Sequence, residues 1–134
     1  MKKTGTLNAQ LSLIIAEMGH TDKLVICDSG LPIPRSAEVV DLALSKNIPR
    51  FIDTVQVVME ELCVEGAIIA KEMETINVKG YEELMATLND VPVKKVNHEE
   101  FKKITCANGN VAFVRTGEAT PYSNVILIAG VAFD

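Results

Sequence analysis

The chain contains no tryptophan, two tyrosines and four phenylalanines, so aromatics make up only 4% of its 134 residues. Its core must therefore be built from Val, Ile, Leu, Ala and Met, a supply that suits a sheet covered by helices. Three cysteines, Cys27, Cys63 and Cys106, form an odd set without a C-x-x-C pair, which suggests neither a disulfide framework nor a zinc site. Basic residues are fewer than acidic ones, 13 against 18, and are scattered along the chain. No basic face is offered to phosphates, and nucleic acid is not an expected partner. Apolar runs fall short of the roughly 20 residues that span a bilayer, and "MKKTGTLNAQ" lacks a signal-like apolar stretch, so no membrane partner and a cytoplasmic location are expected. Also missing are a glycine-rich phosphate loop, G-x-S-x-G and His-x-x-x-His. Two histidines in all could supply at most part of a metal site, so no metal is expected, and without such a loop no cofactor is expected either.

What is present reads as alternating helices and strands. "LNAQLSLIIAEMG" sets Leu7, Leu11, Ile14, Ile15 and Met18 on one helical face, with Asn8 as N-cap and Gly19 in the stopping position. "PRFIDTVQVVMEELC" has helical spacing too, as do "YEELMATL" and "HEEFKKIT", the latter with acids before lysines as the helix dipole favours. Strands are expected at "KLVICD", "EVVDLAL", "VEGAIIA", "VPVKKVN", "NVAFVRT" and "VILIAGVAF". The order predicts one α/β domain over residues 1–134, three layers with a largely parallel sheet.

Three stretches offer chemistry. In "GHTDKLVICDSGLPIP", His20 follows a helix C-terminus and Asp28 ends a strand, where open α/β sheets bind ligands. The prolines behind it stiffen the next loop. A helix-capping histidine and a turn-forming aspartate account for the same residues equally simply. In "NHEEFKK", His98 lies between a strand and a helix and is expected on the same sheet edge, with Asn97 and Glu99 as caps and Lys102 as a solvated charge in the plainer reading. "RTGEATPYSN", residues 115–124, gathers Arg115, Glu118, Tyr122, Ser123 and Asn124 in a loop longer than a hairpin turn needs. A tyrosine ring with an asparagine amide suits vicinal hydroxyls; ordinary loop formation suits the same residues.

Together "MGHTDKLVICDSGLPIP", "VVDLAL", "IPRFIDTV", "HEEFK", "RTGEATPYSN" and the final "GVAF" resemble, in order and over the whole chain, the D-ribose pyranase family, whose relatives include the L-fucose mutarotases. Ser29 and Cys27 depart slightly from the family pattern, and the likeness is thinnest over residues 71–96. The resemblance implies a Rossmann-like α/β/α fold and a cofactor-independent isomerase that interconverts β-D-ribopyranose and β-D-ribofuranose. It implies His20 as the catalytic acid. Asp28, His98, Tyr122 and Asn124 become sugar-binding residues, with Ser123 contributing through its backbone. It also implies a ring-shaped homo-oligomer, commonly a decamer, with sites at subunit interfaces. The competing functions are a mutarotase for another monosaccharide such as L-fucose, a non-catalytic sugar-binding accessory of ribose transport, and a structural scaffold. The chemistry is self-consistent, because opening a hemiacetal needs one proton delivered to the ring oxygen and one removed from the anomeric hydroxyl. For His20, either Asp28 or another neighbour could orient the ring, and the resemblance favours Asp28 on the sugar instead.

Overall fold

The computed structural model describes residues 1–133. Six strands form one sheet in the order β2-β5-β1-β6-β3-β4, with β1 Lys23–Cys27, β2 Glu38–Asp41, β3 Val64–Ala70, β4 Val93–Val96, β5 Val111–Arg115 and β6 Val125–Ala129. Five strands run in one direction; β6 alone is antiparallel, wedged between β1 and β3. The expected largely parallel, layered fold is present, with this one departure from a uniformly wound sheet.

Alternation along the strands builds two cores. Leu24 and Ile26, Ala67 and Ile69, and Ala112 and Val114 face helices α1 Ala9–Glu17, α2 Phe51–Glu61 and α4 Val78–Leu88. On the other face Val25, Cys27, Ile68, Phe113 and Ile126 pack against Phe101 of α5 His98–Thr105 and against Leu31 from the proline-braced loop. Phe101 is fully buried and anchors α5 so that its first residue, His98, stands at the end of β4. Asn8 caps α1 by accepting from Leu11 N–H, as its position predicts, and Asn97 caps α5 by accepting from Glu100 N–H.

Two strand ends, the start of α4 at Val78 and one added helix differ from the sequence reading. β2 stops at Asp41, where the chain leaves the sheet's edge, and β6 stops at Ala129, although apolar residues continue beyond each. An additional short helix, α3 Glu72–Ile76, joins β3 to α4; at five residues it is too short to show a helical period. The long loop between β5 and β6 also has a structural cause. These strands are not neighbours, since β1 lies between them. The connection must therefore cover two strand spacings, about 10 Å, over the end of β1.

Candidate active site

The C-terminal ends of β1, β4 and β5 share one sheet edge with the start of β6, and here Asp28, His98, Tyr122 and Asn124 come together. They line a cleft of about 260 Å³ with Gly30, Leu31, Pro32 and Pro121. A larger cleft of about 420 Å³ opens at the opposite edge among Glu17, Asp22, Lys23, Glu38 and Asn110, but neither a histidine nor an aromatic faces it.

Asp28 and Asn124 form a reciprocal pair. Asn124 is 1% exposed; its Oδ1 accepts from Asp28 N–H at 2.9 Å and its Nδ2 donates to Asp28 Oδ2 at 3.2 Å. Gly30 N–H donates to the other carboxylate oxygen at 3.0 Å. Burial pushes the Asp28 carboxyl above the ordinary aspartate range, while the bonds from Gly30 and Asn124 and the nearby His98 pull it back. The acid is thus fixed in direction, with its oxygens next to the cleft.

His98 is held by its main chain, whose N–H donates to both Glu72 carboxylate oxygens at 2.9 and 3.1 Å. Its ring stacks on Phe101 at 6.2 Å and meets the Tyr122 ring edge-on at 5.0 Å. Among the described residues, His98 Nδ1 is the one buried side-chain nitrogen or oxygen without a hydrogen-bond partner. A buried polar atom in a cleft favours a ligand that can bond to it. Tyr122 adopts a left-handed backbone, φ 61°, unusual for a ring-bearing residue. Ser123 is buried and its hydroxyl accepts from Asn77, so its side chain is turned away from the cleft.

Arg115 and Glu118 brace this edge. Arg115 donates to Ser29 O and to the Asp41 carboxylate. Glu118 accepts Phe51 N–H at the start of α2, and its main-chain oxygen receives Ser29 N–H. Thr116 Oγ1 donates to Cys27 O, stitching the crossing loop to the end of β1. Lys102 pairs with Glu99 along α5, the solvated arrangement expected of it. Glu72 and Thr116 carried no signal in the sequence, because each acts on a main-chain group far away in the chain.

His20 does not join this group. It precedes β1 and so lies at the opposite sheet edge, separated from Asp28 by the strand's length, about 16 Å. Of the residues that the resemblance assigns to the site, His20 alone lies at the other edge within a single chain. Among the described residues no hydrogen bond joins the His20 ring to the end of α1, whose Ile14 and Ile15 carbonyls receive Met18 N–H. Instead, His20 Nε2 lies 2.9 Å from Glu65 Oε2 at the start of β3, and both side chains are about half exposed. The carboxylate orienting this ring is Glu65 and not Asp28. No set of three His, Cys, Asp or Glu side chains among the described residues is grouped to hold a metal.

The RbsD / FucU transport protein family model matches residues 1–132. A D-ribose pyranase of Coprothermobacter proteolyticus is 55% identical, with 99% of this chain aligned to 100% of that protein. One from Petrotoga mobilis is 50% identical at the same coverage. The structure of Bacillus subtilis RbsD complexed with D-ribose is similar, with TM-score 0.93 and 44% identity, covering 99% of this chain and 100% of that one. The fold alone extends to a Streptococcus pneumoniae fucose mutarotase in complex with L-fucose, at TM-score 0.79 and 18% identity over 99% and 100% of the two chains. With a family match over nearly its whole length and relatives at half its residues identical, the chain belongs to the RbsD / FucU family.

Proposed function

We propose that this chain is a D-ribose pyranase, interconverting β-D-ribopyranose and β-D-ribofuranose by acid–base ring opening and reclosure. The observation carrying this reading is the cleft at the end of β1, where a fixed carboxylate, an amide, an aromatic ring and an unpartnered histidine nitrogen converge. Such a set suits a polyol: Asp28 and His98 Nδ1 accept hydroxyl protons, Asn124 secures Asp28, and the Tyr122 ring covers a C–H face. Ser123, its hydroxyl engaged elsewhere, contributes through its main chain. The reaction moves protons and one C–O bond, transferring neither hydride nor electrons, so positioning and a proton donor suffice.

His20 is the proposed donor, oriented by Glu65. Because it stands at the far edge of its own sheet, it serves the cleft of a neighbouring copy in a homo-oligomer. Exposed apolar side chains, including Leu7, Leu44 and Phe133, provide surface for such self-association. The reading includes a ring assembly, commonly a decamer, with residues 1–134 as its repeating unit. It also places the protein in the cytoplasm, where ribofuranose would be phosphorylated; among the described residues no helix is long and apolar enough to cross a membrane.

Mixing two inactive variants tests the composite site. His20→Ala and His98→Ala chains, unfolded and reassembled at equal amounts, place intact His20 beside intact His98 in about a quarter of interfaces by random pairing. Ribose ring exchange, followed by magnetisation transfer between pyranose and furanose C1 signals, is expected to recover to about that fraction. Recovery of none places both residues in one chain's site or removes His20 from it. Faster exchange of L-fucose anomers than of ribose ring forms by the wild type would transfer the reading to a mutarotase. Ribose binding without accelerated exchange would leave a sugar-binding accessory.

A further inference from the structure

Asn77 sits at the break between α3 and α4, is 7% exposed and does not line the ribose cleft. It lies in residues 71–96, where the family resemblance is thinnest. Its amide nevertheless reaches across 44 and 46 residues of chain, donating from Nδ2 to Pro121 O at 3.0 Å and to Ser123 Oγ at 2.9 Å. Its Oδ1 accepts Gly80 N–H at 3.2 Å and so caps α4. The orientation of the amide is fixed, because the Gly80 N–H requires an acceptor and the Pro121 carbonyl requires a donor.

Pro121 and Ser123 flank Tyr122, the residue held in the left-handed region with its ring against His98. A left-handed conformation costs a side-chain-bearing residue about 1 kcal/mol or more and persists only where its surroundings enforce it. Asn77 holds both sides of that residue at once. Gly80 makes room for it: a Cβ there would lie 2.6 Å from Asn77 Oδ1 and 2.8 Å from Nδ2.

We propose that Asn77 is a positioning residue for the sugar site, clamping the 121–123 turn so that the Tyr122 ring is set against His98 and the cleft. The inference rests on the ribose-site reading above, and Asn77 acts through Tyr122 without touching the sugar. Two substitutions release the clamp, and only the first of them keeps the helix cap. Asn77→Asp keeps a cap of equal quality. It cannot donate to Pro121 O, although the Ser123 hydroxyl can reverse its own hydrogen. Gly80→Ala raises helix propensity, yet its methyl turns the unaltered Asn77 side chain aside.

The chain's two histidines allow a direct readout by NMR of histidine-labelled protein. The His98 ring, its centroid 5.0 Å from that of Tyr122, carries a ring-current shift on its protons. In both variants that shift is expected to diminish. The KM for ribose exchange is expected to rise about fivefold or more, as loss of one net hydrogen bond would give. Unchanged His98 resonances and KM in Asn77→Asp would overturn the clamp. Should that variant fail to fold, Ser123→Ala, lacking one of the two acceptors, carries the test: a partial loss of the shift supports it and no change refutes it. A wild type inert toward ribose would sink the site reading alone, since the His98 shift still reports whether Asn77 sets Tyr122.

Discussion

Substituting Asn124 by aspartate probes the centre of the site by changing one NH₂ into an oxygen. The new carboxylate still accepts Asp28 N–H, but an oxygen now faces Asp28 Oδ2 where Nδ2 stood at 3.2 Å. At an effective dielectric near 20, two charges at that distance repel by about 5 kcal/mol. Protonating one of them instead costs a group of ordinary pKa about 4 kcal/mol at pH 7, and less for Asp28, which burial already raises. The pair therefore takes up a proton, and the penalty is capped at about 4 kcal/mol at pH 7.

The cap sets the pH dependence. In the variant the folded pKa of the pair lies above its unfolded value, so the folded state gains protons. The stability deficit relative to wild type is smallest below the unfolded carboxylate value and grows as pH rises toward the raised folded value. Between pH 7 and pH 5 it should shrink by about 1.4 kcal/mol per unit. Urea unfolding of both proteins, at equal chain concentration and half-unit pH steps from 5 to 7.5, measures the deficit directly. A deficit that stays constant across that range would refute the carboxylate–amide pairing at the heart of the site.

Other expectations follow from single contacts. Cys27 is buried and its thiol is pushed up to about 12, first by burial and then by the Asp28 charge. At pH 8 roughly one part in ten thousand is thiolate. Iodoacetamide with peptide mass mapping should thus label the exposed Cys63 and Cys106 far ahead of Cys27, and equal labelling would contradict this packing. A methyl group at Gly117 would collide with the Ser45 and Ile48 carbonyl oxygens. Gly117→Ala should cost about 1–3 kcal/mol in urea unfolding through forced backbone movement. Glu65→Gln keeps a hydrogen-bond acceptor beside His20 but removes the charge. Ribose exchange should slow in that variant with KM unchanged, because Glu65 acts on the sugar only through the His20 ring; a rise in KM alone would place Glu65 among the binding groups.

Elements with their own periodicity were legible from the sequence. Asn8 and Asn97 announce helix starts, and all six strands fall within the expected segments, the four central ones carrying runs of buried apolar residues. Asp28 and His98 were legible as neighbours because what ends a parallel strand reaches the same edge, whereas Tyr122 and Asn124 joined them as sugar-binding residues through the family resemblance. The direction of β6 was harder to read. An apolar strand at the sheet's centre reads alike in either direction, and only the crossing of β1 by the 116–124 loop fixes it. The same crossing accounts for a loop longer than a hairpin turn needs.

The residues that hold the site were hidden for a different reason. Glu72, Asn77 and Thr116 bind main-chain groups, and a main-chain group has no sequence identity to be matched. Their effect depends on where the backbone of another element passes, which is a property of the assembled fold. His20 extends that argument by one level. Chain order places it at the N-terminal edge of β1, and no local pattern connects that edge to a cleft at the other end of the strand. A catalytic part for His20 thus demands a second copy whose cleft meets the His20–Glu65 edge. Glu65 must then lie at the same interface, since it holds the His20 ring at 2.9 Å. Reassembled Glu65→Gln and His98→Ala chains should consequently complement as the His20 and His98 variants do, and failure of that pair alone would separate Glu65 from the proton donor.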